Sequence, residues 1–288
     1  ADVGFATLRK YFSYVLMRED GVLEFGLDSD NRCVRKNTTV KSDWIRISFS
    51  ETMQSALREY ACAVRSINGI KQRFDRAPTG FCTWYYYLGG ISEKSIYENM
   101  EALDKIRARV PLEVFQIDDG WGSSHFNGND KFPKGMKAYA DYIKEHGMTP
   151  GIWLTPFNFS TDEEAVKEHP EWFIHSGESL RLVNGQALID ATHPGAKELI
   201  AALYRKITWE WGYRYIKIDH ITTYLAGGEF YDKDANALTN MREYFKIMRE
   251  ACHPDTFILA CTSPLLECAE FFDGVRTSGD IFESWESL

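Results

Sequence analysis

The sequence predicts a (β/α) barrel of the eight-stranded type, here cut short after its sixth strand. From residue 79 onward strand-like runs alternate with helix-like runs, the pattern of a parallel sheet with helical crossovers. Polar and aromatic residues collect where those strands end, which is where such barrels place their sites. No GxGxxG or other phosphate-binding glycine loop follows the first strand, which argues against an open doubly wound sheet. A closed barrel requires eight strands, so the expectation is a piece of a longer chain or a barrel completed by another one.

Three segments are expected. Residues 1–50 read as the remnant of an N-terminal β-domain, the end of a β-sandwich, with "DGVLEFGL" and "SDWIRISFS" as strands around a polar, turn-rich stretch. Residues 51–78 are a connecting helix and linker. In "ETMQSALREYACAVRSING" Met53, Leu57, Tyr60, Ala61 and Val64 fall at helical spacing, and Asn68 with Gly69 supplies a C-cap. Residues 79–288 hold the barrel units. "GFCTWYYY" is the first strand and "SEKSIYENMEALDKI" its helix, with Ser92 as N-cap; "LEVFQIDDGW" and "FPKGMKAYADYIKEHG" follow. "TPGIWLTPF" leads through a long insertion to the helix "PGAKELIAALYRKITWEWG". "YRYIKIDH" and "DANALTNMREYFKIMREAC" make the fourth unit, and "TFILACTSP" and "FDGVRTSGDIF" the last two strands.

Composition excludes several classes of function. With 44% hydrophobic and 14% aromatic residues the chain can bury a large core and is too apolar to be disordered. A net charge of -9 and a pI near 5.4, with no basic cluster, argue against a nucleic-acid partner. No run reaches the length of a membrane span and the opening residues do not form a signal peptide, so a cytoplasmic setting is expected. Cys33, Cys62, Cys82, Cys252, Cys261 and Cys268 show no CxxC spacing, which fits reduced thiols better than a zinc site or a disulfide framework. Exposed sheet edges allow a homo-oligomer.

The strand ends supply Trp84, Asp118 with Asp119, Trp153, Lys217 with Asp219, Cys261, and Arg276 with Asp280. Each has an ordinary explanation: a Trp is usually core, an Asp pair a turn or cap, and a Lys–Asp pair a structural ion pair. Their recurrence at one end of successive strands makes coincidence the weaker account. In "YRYIKIDHITTY" strand alternation sends Lys217, Asp219 and Ile221 to one face and Ile216, Ile218 and His220 to the other. Tryptophans that stack on pyranose faces, beside carboxylates and a lysine that bond hydroxyls, are the lining expected of a carbohydrate pocket. Glycoside cleavage needs two carboxyl groups with separate tasks. Asp219, kept ionised by Lys217, suits the nucleophile, and Asp280 on a later strand suits the acid/base. Nearby barrel staves allow the roughly 5 Å separation of a retaining mechanism.

"TGFCTWYYY", "VFQIDDGW", "PGIWLTPF", "YIKIDH", "ILACTSPL" and "DGVRTSGDIFESW", in this order, resemble the barrel of glycoside hydrolase family 36, the α-galactosidases or melibiases of clan D. The resemblance covers about Thr79 to Trp285. It implies a retaining α-galactosidase with Asp219 as nucleophile and Asp280 as acid/base. By the same resemblance Asp118 and Asp119 hold the galactose O4 and O6 hydroxyls. Lys217, Trp153, Cys261 and Arg276 line the remaining sugar edge, with Trp84 close by. It implies no metal or organic cofactor, an α-galactoside oligosaccharide as partner, and β-domains on either side of the barrel.

Two departures stand out: His220 and Thr222 follow the nucleophile position where apolar residues are expected, and Thr262 occupies a position often glycine in relatives. Bulk near the sugar C2 leaves α-N-acetylgalactosaminidase activity open. A non-catalytic galactoside-binding fragment and a metal-dependent enzyme using Asp118, Asp119 and Asp219 are the other readings.

Overall fold

The structure, a computed structural model, describes residues 2–30, 36–124 and 127–281. Cys33 and Trp285, both named above, lie outside the described residues. The N-terminal part contains β1 (Asp2–Phe5), β2 (Phe12–Met17), β3 (Leu23–Asp28) and β4 (Ile45–Ser48). β1 pairs with β4 and β2 with β3, giving two separate antiparallel ribbons. Only β3 and β4 were expected; β1 is four residues long and β2 turns a half-exposed face to solvent, so neither shows a clean apolar alternation.

Helix α1 (Met53–Asn68) starts at a reciprocal Thr52–Ser55 capping box and ends at Gly69, whose φ of 67° is the left-handed conformation that glycine adopts without penalty. The Tyr60 hydroxyl donates to the Phe5 carbonyl and the Asn68 amide to the Ala6 carbonyl, which ties α1 to β1.

Six parallel strands follow: β5 (Gly80–Cys82), β6 (Val114–Ile117), β7 (Thr149–Leu154), β8 (Tyr215–Ile218), β9 (Phe257–Ala260) and β10 (Gly274–Val275). Each lies beside its predecessor, in the order β10–β9–β8–β7–β6–β5. A doubly wound sheet reverses this order at a switch point; a barrel does not, so the sheet is a curled half-barrel. The crossover helices are α2 (Glu93–Ile106), α3 (Met136–Glu145), α4 (Pro194–Arg205) and α5 (Ala237–Ala251).

Apolar spacing explains the packing. Leu238, Met241, Phe245 and Met248 of α5 are fully buried at intervals of three and four residues. Ile216 and Ile218 of β8 are fully buried as well, each contributing about 1.5–3 kcal/mol by its removal from water. Buried hydroxyls of Tyr204 and Tyr244 meet at 3.1 Å between α4 and α5.

Two expectations are corrected and one, the cap at Ser92, is refined. The strand at "GFCTWYYY" stops at Cys82, and Trp84–Tyr87 form one helical turn. The buried Thr83 hydroxyl accepts the Asp118 amide while its carbonyl accepts the Tyr87 amide, which turns the backbone out of the sheet. Ser92 caps α2 by position, but its hydroxyl meets the Ser95 hydroxyl instead of a backbone amide. The helix expected through "KITWEWG" becomes a π turn at Lys206–Glu210 before Gly212.

The insertion after β7 carries its own antiparallel sheet of Asn158–Ser160, Gln186–Leu188 and Leu182–Val183. No helix among the described residues is long and apolar enough to cross a membrane. Cys62, Cys82, Cys252, Cys261 and Cys268 are free thiols.

Candidate active site

Parallel register decides which strand-end residues meet. Lys217 pairs with Trp153, and Asp118 lies one residue beyond the Ile117–Ile152 pair, so Asp118, Trp153 and Lys217 form one row. Ile218 and Val275 both pair with Ala260, so Asp219, Cys261 and Arg276 form a second row, two residues nearer the strand ends. Both rows open on a cleft of about 100 Å³ lined by Trp84, Asp118, Asp119, Trp153, Lys217, Asp219, His220, Thr262, Arg276 and Asp280.

Lys217 is 4% exposed, and its Nζ stands 3.1 Å from Asp118 Oδ2 and 3.7 Å from Asp219 Oδ2. Burial opposes the ammonium charge, yet the charges of Asp118 and Asp219 prevail and hold the Lys217 pKa above its ordinary value. Lys217 thus supplies the cation between these two carboxylates, where the metal-dependent reading requires a metal ion.

Asp118 is fixed from behind. Its amide donates to Thr83 Oγ1 at 2.9 Å, its Oδ1 accepts the Asp119 amide at 2.9 Å, and the Gln116 side-chain amide donates to Oδ2. Asp119 accepts the Gly120 amide at 2.6 Å, while burial and the Asp118 charge raise its pKa.

Asp219 Oδ1 accepts the His220 amide at 2.7 Å and the Thr262 hydroxyl at 3.0 Å, and Oδ2 accepts the Trp153 indole at 3.2 Å. Burial alone would raise the carboxyl pKa. The His220 amide, the Cys261 thiol, the Lys217 charge and the Trp153 indole outweigh it and hold the pKa down at about 2. Burial and the neighbouring Asp219 push the Cys261 thiol up to about 12, so it stays a neutral donor. The Trp153 carbonyl accepts the Trp121 indole at 2.8 Å, which fixes the backbone carrying this platform.

Arg276 and Asp280 stand apart from this framework. Their side chains pair at 2.5 Å, and that of Asp280 is 40% exposed on the segment after β10.

A model of the melibiase family matches residues 95–250, a little over half of the chain. The chain belongs to the melibiase family, glycoside hydrolase family 36. Among curated relatives, an α-galactosidase of Escherichia coli is 23% identical over 246 residues, covering 75% of this chain and 32% of its own length. Alpha-galactosidase Mel36A of Lactobacillus acidophilus is 34% identical over 83 residues, covering 25% of this chain and 11% of its own length. The Thermus thermophilus α-galactosidase in complex with stachyose superposes over 98% of this chain and 57% of its own, with a TM-score of 0.69 and 26% identity. The same enzyme with p-nitrophenyl α-D-galactopyranoside matches 74% of this chain and 43% of its own, with a TM-score of 0.61 and 30% identity. This chain therefore spans a third or less of the length of these two curated relatives and about half of the Thermus enzyme.

Eight of the nine residues singled out from the melibiase-like motifs line the cleft; the ninth, Cys261, is fully buried beside Asp219. Two residues were placed differently by the strand rule. His220 was expected on the face opposite Asp219, yet it lines the cleft with its ring edge-on to Trp153 at 6.1 Å. Ile221, expected beside Asp219, is buried in the hydrophobic core. The cause is a backbone break: β8 ends at Ile218, and His220 has a φ of 56°, so the alternation of an extended chain no longer applies. Thr262, one residue beyond Cys261, has a φ of 48° and also reaches the cleft. In the sequence both stand out as departures from the family pattern.

Proposed function

We propose that this chain carries the barrel of a retaining α-galactosidase, in which Asp219 attacks the anomeric carbon of a terminal α-galactosyl group and Asp280 acts as acid/base. One observation carries the reading: a carboxylate with four kinds of donor around it and a buried lysine beside it faces the same cleft as a second, solvent-exposed carboxyl group.

In the first step an Asp219 oxygen bonds to C1, and the C1–O bond to the departing sugar breaks with its electron pair on that oxygen. The oxygen takes the proton of Asp280. Water then attacks C1, gives a proton to Asp280, and the C1–Asp219 bond breaks with its electrons returning to the carboxylate. Two displacements restore the starting configuration. Asp118 and Asp119 offer paired acceptors for galactose hydroxyls, Lys217 a donor, Trp84 and Trp153 apolar faces, and Cys261 and Arg276 further donors along the sugar edge. The molecules in complex with the Thermus relative, stachyose and p-nitrophenyl α-D-galactopyranoside, support an α-galactoside oligosaccharide as substrate here. Residues 1–50, 51–78 and 79–288 are, in this reading, the remnant of an N-terminal β-sandwich, a connecting segment and six of eight barrel units.

Proton NMR of p-nitrophenyl α-galactoside hydrolysis tests the proposal. α-Galactose should appear first and mutarotate later; β-galactose as the first product, or faster cleavage of the N-acetylgalactosaminide, would overturn it.

A further inference from the structure

We infer that Thr262 is a positioning residue for Asp219: its hydroxyl, brought inward by a strained backbone, fixes the orientation of the carboxylate for attack. The inference rests on the reading of Asp219 as nucleophile.

Three observations converge. First, the Thr262 hydroxyl donates to Asp219 Oδ1 at 3.0 Å, from a different strand end. Second, this contact exists only because the chain leaves the strand geometry. Cys261 sits in register with Asp219, its amide bonded to the Ile218 carbonyl at 2.8 Å, and alternation would turn residue 262 to the far face. A φ of 48° returns it to the cleft. That conformation is a marked outlier for a β-branched residue, because Cβ crowds the backbone; such strain persists only where surrounding structure holds it. The Thr222 amide, bonded to the Thr262 carbonyl at 3.0 Å, is part of that hold. Third, the two oxygens of Asp219 are unequally bound. Oδ1 takes the His220 amide at 2.7 Å as well as Thr262, whereas Oδ2 has the indole at 3.2 Å and the lysine at 3.7 Å. The two short bonds on Oδ1, at 2.7 and 3.0 Å, come from different strand ends and together set the plane of the carboxylate.

Glycine would adopt this backbone with no strain. A threonine here gives up conformational ease and gains a hydroxyl aimed at the carboxylate.

The test compares Thr262→Val, Thr262→Ser and Thr262→Gly on p-nitrophenyl α-galactoside, with thermal unfolding of each. Thr262→Val should lower kcat roughly 10- to 100-fold, the range for loss of one hydrogen bond to a charged group, with KM little changed. Thr262→Ser should restore most of kcat. Thr262→Gly should unfold no earlier than the wild type, because its backbone is relaxed, and still lose kcat as Thr262→Val does. A Gly variant with wild-type kcat, or a Ser variant as impaired as Val, would overturn the inference. Mass mapping of the peptide labelled by a fluorinated α-galactosyl fluoride separates the two levels. A label on a residue other than Asp219 in the wild type defeats the nucleophile assignment. A label on Asp219, formed equally fast in wild type and Thr262→Val, defeats only the role of Thr262.

Discussion

The floor and the rim of the cleft are built on opposite plans. At the floor Asp118, Lys217 and Asp219 sit on or just beyond strand ends, nearly excluded from water and crossed by hydrogen bonds from five chain segments. At the rim Arg276 and Asp280 make one ion pair on an open segment after the shortest strand of the sheet. The contrast supports the two tasks proposed for Asp219 and Asp280. A group that attacks must keep one position and stay charged, which a rigid array of donors achieves. A group that gives and recovers a proton every cycle must reach water.

The comparison is sharpest in the rates. Asp219→Asn should reduce kcat/KM for p-nitrophenyl α-galactoside by roughly 10⁴-fold or more, and Asp280→Asn by about 10²- to 10⁴-fold, since a proton donor matters less when the leaving group is a good one. Azide should separate the two, yielding the inverted β-galactosyl azide with Asp219→Gly and the retained α-azide with Asp280→Gly. The same stereochemistry from both would erase the division of labour.

Stability gives the next largest effect. Lys217→Met leaves two buried carboxylates facing each other without a cation, a loss of about 3–5 kcal/mol in urea unfolding. A neutral outcome would mean that the floor is not held by charge.

The acid limb of stability follows from Asp219. Its folded pKa of about 2 lies below the ordinary 3.8, so the folded state binds fewer protons than the unfolded one between these values. The carboxylate therefore stabilises the fold above pH 3.8 by about 2 kcal/mol, and this contribution disappears as pH falls toward 2. Carbon-13 NMR of the Asp219 carboxyl should show its midpoint well under 3.8; a midpoint at or above that value would show the donor array to be ineffective.

The smallest effect belongs to the rim. Arg276→Gln should change unfolding free energy by about 1 kcal/mol, as expected for a pair whose Asp280 partner is open to solvent, and that little should shrink further in salt. A loss as large as that of Lys217→Met would place the rim in the same rigid framework as the floor.

Alternation along "YIKID" and the clustering of Asp, Lys and Trp at strand ends were enough to assemble the cleft residues, because sheet periodicity is a local property. That alternation misplaced His220 and Ile221 and gave no account of how Thr262 could reach Asp219, because positive φ values at the strand ends broke it. The insertion after β7 was equally opaque: its strands are two or three residues long, too short to show a period, and they pair only because the chain returns on itself.

The sequence by itself determined the half-barrel and the chemical character of its mouth, since strand and helix periods and residue types are written locally. Only the tertiary structure decided which donor serves which oxygen of Asp219. Those bonds join residues 153, 217, 219 and 262, far apart in the chain, and depend on parallel register and on two left-handed turns that no local period encodes.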